Sequence, residues 1–362
     1  MSEGDNLHLK AALARPRSVA IIGAGFSYAA TKGACPLTTR FLERVNRHQY
    51  PSLYRFMFSL PEHMRYNLAY VVEDIDTCDE MPAGSMRSCA MPSGVKPENV
   101  RRELQWYSIK LLSPLKASPC GSWPLGWLCD QVLCKGSTLI TTNYDSLIEE
   151  TMRYMPQLRH RKGGDCPQCK MKELLRAGCP CPQNAVPQDY WRGSLLKLHG
   201  SVCWSLCRRP DCCATGCISY QCVHKPHSLT TKCELCGGPT EPVIVLPRLR
   251  GKYVAYPKID AMWESAALAL KEAEVLHVFG FSFSDVDKEL CKFLQVCFTA
   301  RTLKQVRIID LEPEVVALKL KSLLPDGYQL EILGMRPPRS FAAPSPGCWV
   351  PVDGSPLAQV ST

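Results

Sequence analysis

Six short runs of mainly apolar residues, rich in Val, Ile and Leu and each bounded by a turn or breaker residue, constrain this chain more than any other feature. They are Ser18–Ile22 and residues 138–142, 195–199, 243–246, 275–280 and 306–310. Each is four to six residues long and lacks polar alternation, as expected of strands covered on both faces. Helical patterns separate several of them: 38–47 after the first run, 146–154 after the second, and 260–273 before the fifth. Strands alternating with helices predict an α/β fold with a mostly parallel sheet.

Two long stretches interrupt the alternation. Residues 48–135 hold helix-like segments such as Pro97–Leu112, broken by Pro, Gly and Ser, and predict a helical insertion. Residues 160–242 are rich in Cys, Pro and Gly and predict a second insertion. Residues 336–362 carry six prolines and no periodicity, so a disordered Pro-rich tail is expected there. With 1–16 as an N-terminal segment, the remaining 17–335 form one domain with two insertions.

Composition excludes several classes. At 46% hydrophobic and 21% charged, the chain is neither wholly disordered nor fibrous. No run of 18 apolar residues exists, so a membrane span is not expected. The polar, acidic start is no secretory signal, which points to the cytoplasm. A net charge of +9 favours anionic partners. The basic groups Arg101-Arg102, 159–162 and Arg208-Arg209 are short and scarcely interleaved with aromatics, which argues against nucleic acid.

Cysteine usage is unusual. Of 21 cysteines, 12 fall between Cys166 and Cys236, and clustered thiols in a chain without a signal peptide read as metal ligands. Cys233-x-x-Cys236, followed by Gly237-Gly238, is a zinc knuckle that needs a second pair. Upstream, Cys166, Cys169, Cys179 and Cys181 could supply four ligands to a second ion. Most of the nine scattered cysteines are expected to be buried small hydrophobes.

Three polar motifs stand where strands end. Gly23-Ala24-Gly25-Phe26-Ser27 follows the first run, and its glycines permit a tight turn and close approach to a pyrophosphate. The third glycine of the standard dinucleotide fingerprint is replaced by Tyr28. Thr141-Thr142-Asn143-Tyr144-Asp145 closes the second run, and Lys197-Leu198-His199-Gly200-Ser201 the third. In an open α/β sheet ligands bind outside the carboxyl ends of the strands, so Asn143 and His199 should face the same crevice as Gly23 and Gly25. A histidine there can act as general base, and an uncharged amide can orient water or a hydroxyl.

In this order and spacing the motifs resemble the sirtuin superfamily, most closely the sirtuin-like branch of prokaryotic NAD-consuming and anti-phage proteins. Phe279-Gly280-Phe281-Ser282-Phe283-Ser284-Asp285 and Ile308-Ile309-Asp310 extend the likeness, which covers roughly residues 17–335. It implies a doubly wound, parallel Rossmann-like sheet with a helical insertion and an inserted cysteine-rich zinc module, the two insertions roofing the crevice. It implies NAD contacts from Gly23, Ala24, Gly25, Ser27, Thr142, Gly280, Ser282 and Asp310, with His199 as catalytic base and Asn143 and Asp145 beside the nicotinamide ribose. Sirtuins place a zinc ribbon after the His-Gly motif, which makes Cys207 and Cys212 the first choice to complete the knuckle. Cys203, Cys213, Cys217, Cys222, His224 and His227 compete with them. One or two structural zinc ions are expected.

The sequence departs from the protein-deacylase pattern twice. Where deacylases carry Gly-Ile-Pro-Asp-Phe-Arg, this chain reads Gly33-Ala34-Cys35-Pro36-Leu37-Thr38-Thr39-Arg40. Where they carry the substrate-pairing Val-x-Phe-Gly-Glu, it reads Val243-Ile244-Val245-Leu246-Pro247-Arg248. Both losses fall on elements that handle acyl-lysine, so hydrolysis of NAD to ADP-ribose and nicotinamide is the expected activity. A lysine deacylase and a non-catalytic NAD or ADP-ribose binding module are the alternatives. A protein partner or self-association is the expected trigger.

Overall fold

The computed structural model describes residues 17–80, 91–116, 122–153, 195–212, 218–220, 231–246, 256–283, 288–298, 302–324, 327–336 and 350–351. Its strands are β1 (Ser18–Ile22), β2 (Thr138–Thr141), β3 (Leu195–Lys197), β4 (Gly200–Cys207), β5 (Ile218–Tyr220), β6 (Thr240–Ile244), β7 (Val275–Phe279), β8 (Gln305–Asp310), β9 (Gln329–Arg336) and β10 (Val350–Pro351). Its α-helices are α1 (Ala24–Ala30), α2 (Pro51–Ser59), α3 (Leu68–Glu80), α4 (Pro97–Leu112), α5 (Ser122–Trp127), α6 (Leu147–Arg153), α7 (Pro257–Lys271), α8 (Lys288–Cys297) and α9 (Pro313–Lys321).

The large sheet runs β3-β2-β1-β7-β8-β9, all parallel, with β10 antiparallel at the β9 edge. The chain winds outward from β1 to β3, then returns beside β1 and winds the other way, which is the doubly wound Rossmann-like order. Its reversal, between β1 and β7, is where such sheets open a crevice. β1 shows why its run lacks alternation. Val19 and Ile21 pack with α7, α8 and α9 on one face, while Ala20 and Ile22 pack with α1, α5 and α6 on the other.

Three sequence expectations change. Residues 38–47 do not make a helix: a 3-10 turn spans Thr38–Arg40, and the Leu42 N–H donates to Tyr66 O at 3.2 Å rather than to its own preceding turn. Residues 243–246 are not a strand of the parallel sheet. They extend from β6, which pairs antiparallel with β4 in a small separate sheet, β5-β4-β6. Burial on both faces is what the run encodes, and it does not say which sheet provides it. The two insertions pack together. α2, α3 and α4 share one hydrophobic core with β4, β5 and β6, including Phe56, Leu104, Val202, Trp204 and Ile244. Gln105 on α4 also donates to Ile244 O at 3.0 Å. Residues 123–133, expected within the helical insertion, pack on the large sheet instead.

One buried polar group has a consequence for stability. His277, on β7, is 2% exposed, and its Nδ1 has no hydrogen-bond partner among the described residues. Burial, with help from the charges of Arg307 and Lys135, pulls its pKa down to about 3. The folded protein therefore holds it neutral, whereas the unfolded chain protonates near pH 6.5. Its protonation costs nothing above that pH, and as pH falls from about 6.5 towards 3 it destabilises the fold by roughly 1.4 kcal/mol per unit. Between pH 7 and pH 5, His277→Leu should lose roughly 2 kcal/mol less stability than wild type. Urea titrations at the two pH values measure this, and parallel losses would contradict it.

Among the described residues no helix is long and apolar enough to cross a membrane.

Candidate functional site

The turn after β1 is built against the turn after β7. Gly23 N–H donates to Phe279 O and Gly25 N–H to Gly280 O, both at 2.9 Å. A Cβ on Gly23 would sit 2.3 Å from Gly280 O, and one on Gly280, at φ +60°, would sit 2.2 Å from the Phe26 nitrogen. Only glycine fits at these contacts. The close packing that a third fingerprint glycine would supply comes from Gly280, far along the chain, which is why Tyr28 is tolerated. Two turn amides are spent on the neighbouring strand end, so the turn offers close backbone approach more than a ring of free donors.

β2 delivers the next group. Thr141 Oγ1 donates to Ile22 O at 2.7 Å and accepts from Asn143 N–H at 3.1 Å, tying the loop to β1. Asn143 Nδ2 donates to Gly23 O at 2.9 Å and to Ser27 Oγ at 3.0 Å. Because a carbonyl can only accept, this contact fixes the amide's orientation and leaves Oδ1 to a ligand. Ser27 Oγ in turn donates to Asp145 Oδ2 at 2.7 Å, while Asp145 Oδ1 accepts from Leu147 N–H at 3.1 Å.

β3 ends at Lys197, and His199 lies in the turn that follows, 3% exposed. Its ring is flanked by Tyr144 and Trp263, with centroids 6.3 Å away on each side. Its carbonyl accepts from Val245 N–H at 2.9 Å. Gly200, at φ +81°, makes the turn: a Cβ there would lie 2.0 Å from Val243 O.

These groups share one crevice of about 520 Å3 at the β1/β7 reversal, a size typical of small-molecule sites. Gly23, Ala24, Gly25, Thr142, Asn143, Asp145, His199, Gly280, Ser282 and Asp310 all line it. Ser27 does not. It is wholly buried behind the glycine turn, where it joins Asn143 to Asp145. Asp310 stands at the far end; burial raises its pKa, opposed by the N–H groups of Glu312 and Leu311.

The remaining wall comes from the segment that stands in place of the deacylase loop and from the helical insertion. Residues 35–39 form a strap along the crevice, and Asn67, Leu68, Ala69 and Leu112 close it from the helical lobe. Cys35 belongs to that strap, and its thiol is pushed well up by burial and by the charge of Asp145. The helical lobe is the roof: no residue of the small sheet lines the crevice among those described. Nothing in the sequence of 67–69 marks it as a site, because only the lobe's packing brings it there.

The cysteine choice made by resemblance is the one the fold assembles. Ligand atoms of Cys207, Cys212, Cys233 and Cys236 lie within 4.8 Å of one another. The Cys207–Cys236 and Cys212–Cys233 sulfurs are 3.7 and 3.9 Å apart, close to the edge of about 3.8 Å expected for a tetrahedron with Zn–S of about 2.3 Å. Gly237, at φ +66°, turns the knuckle so that its N–H reaches Cys233 O at 2.8 Å. N–H groups of Cys236 and Leu235 lower the Cys233 thiol to about 7, favouring the thiolate that a metal requires. The donor set therefore fits a structural zinc ion with no open position. Cys203 is instead buried in the core under α4. Cys213, Cys217, Cys222, His224 and His227 lie outside the described residues, as do Cys166, Cys169, Cys179 and Cys181.

No family model and no curated protein matches this sequence. Solved structures that align with it are Sir2 proteins. A Sir2-homologue point mutant in complex with ADP-ribose aligns at 15% identity and a TM-score of 0.38, covering 89% of this chain and 98% of that one. Sir2 with a p53 peptide and NAD+ aligns at 15% and 0.34, covering 89% and 97%. A Sir2 mutant with deacetylated p53 peptide and 3′-O-acetyl ADP-ribose aligns at 13% and 0.39, covering 92% and 93%.

Proposed function

We propose that this chain is a sirtuin-like NAD-consuming enzyme that cleaves the nicotinamide–ribose bond and passes the ADP-ribosyl group to water. One observation carries it: a glycine turn, an oriented amide and a histidine, contributed by three strand ends, meet in a single crevice at the sheet's reversal. NAD lies across the strand ends with its pyrophosphate on Gly23–Gly25. His199 takes a proton from water or a ribose hydroxyl as the glycosidic bond loosens, and Asn143 Oδ1 accepts from the same group. Asp145 anchors this pair, while Thr142, Gly280, Ser282 and Asp310 line the remaining dinucleotide path. The helical lobe excludes bulk water. The products are nicotinamide, ADP-ribose and a proton.

Water is favoured over acyl-lysine as acceptor by the state of residues 243–246. Their side chains are buried, Val245 N–H is bound to His199 O, and Val245 O accepts from Tyr144 Oη at 2.9 Å. Ile244 O accepts from Gln105. Backbone groups that a deacylase would offer to an extended peptide are thus occupied internally. NAD depletion is also the chemistry by which such a chain would act in anti-phage defence.

Incubating purified protein with NAD, with and without an acetylated peptide, is expected to release nicotinamide and ADP-ribose in equal amounts without peptide. Release only with peptide would make it a deacylase. Binding without release would make it a binding module.

A further inference from the structure

Lys197 is wholly buried two residues before His199. Its ammonium donates to the backbone carbonyl of Asp145 and to Glu149 Oε1, the latter at 2.8 Å. Ser201, two residues after His199, donates to that same Glu149 oxygen at 3.1 Å. Leu198 N–H reaches Thr141 O at 2.9 Å, and Val202 N–H reaches Tyr144 O at 2.8 Å. One carboxylate on α6 therefore grips the His199 turn from both flanks, and Lys197 ties the grip to the loop that carries Asn143. Glu149 Oε2 has no hydrogen-bond partner among the described residues.

A buried ion pair is a poor device for stability alone. Apolar side chains of similar volume often replace both partners without loss, whereas removing one leaves an uncompensated charge. Burial of apolar surface is non-directional, whereas an ion pair and its hydrogen bonds orient one side chain against another. We propose that Glu149 and Lys197 are positioning residues for NAD cleavage, holding His199 and Asn143 at the spacing the reaction needs without touching the substrate. Neither lines the crevice. This rests on the functional reading above.

The test compares wild type, Glu149→Gln, Lys197→Met and the double apolar replacement Glu149→Leu with Lys197→Met. Nicotinamide-release kinetics, calorimetric ADP-ribose affinity and thermal melting are measured for each. Misplacement of a reacting group by about 1 Å costs about 10²-fold, so kcat should fall at least about tenfold in every folded variant. KM and ADP-ribose affinity should stay within about threefold. The double variant should regain the wild-type Tm but not kcat, a split that a merely structural pair would not give. Recovery of both would overturn the proposal, as would single variants that keep kcat or that lose kcat and ADP-ribose affinity together. If the double variant does not fold, the kcat-against-KM split of the near-isosteric Glu149→Gln decides alone. Absence of nicotinamide release from wild type, with or without acetylated peptide, would overturn the functional reading itself and this proposal with it.

Discussion

His199→Ala is expected to slow nicotinamide release by about 10²–10⁴-fold, the usual contribution of a positioned general base, while the protein stays folded and still binds ADP-ribose. The ring sits in a tight turn, but groups other than the imidazole hold that turn: His199 O to Val245 N–H, Gly200 in the left-handed region, and Lys197 and Ser201 on Glu149. Removing imidazole should remove chemistry without removing geometry. Asn143→Ala should cost about 10²-fold by releasing the attacking oxygen from its oriented acceptor. It should also loosen Ser27 and Gly23, which its amide group bridges. Steady-state kinetics beside calorimetric ADP-ribose binding separate the two effects. Either variant with undiminished turnover would refute the role given to that residue.

The second large effect is loss of the metal. Cys233→Ser is expected to lower zinc content by about one ion per chain and to unfold the small sheet, since structural zinc sites bind with an apparent free energy of about 10–16 kcal/mol that is folding energy. The damage should spread. β4 begins one residue after His199 and ends at Cys207, and the sheet shares its core with α2, α3 and α4, which roof the crevice. Chelation should therefore abolish NAD cleavage together with the lobe's cooperative melting transition. Metal analysis, thermal melting and activity on one preparation check this. A chelated protein that keeps both its transition and its turnover would show that the four thiols do not staple the fold.

Much of the site was legible because its residues are forced by chemistry that sequence displays. Gly23 and Gly25 make the tight turn after a strand, Asn143 and His199 follow apolar runs that read as buried strands, and thiols three apart followed by glycines announce a knuckle. Other positions were opaque for an equally physical reason. Ser27 stands in the glycine motif but points at Asp145 rather than at a ligand, a matter of which way a short helix rotates. Glu149 and Ser201 are ordinary polar residues until α6 and the His199 turn meet. Residues 243–246 encode burial, not the sheet that buries them.

From its order of residues alone, then, this chain determined an α/β core with a mostly parallel sheet, three polar strand ends and a set of thiols suited to metal. Local propensity, burial and donor type are properties of short segments, and those can be read without neighbours. The tertiary structure decided that Gly280 completes the glycine turn, that two distant insertions form one lobe, that this lobe roofs the crevice, and that a buried lysine and glutamate lock the histidine to the asparagine. Those outcomes depend on contacts between residues 48 to more than 250 positions apart, whose energies no single segment contains.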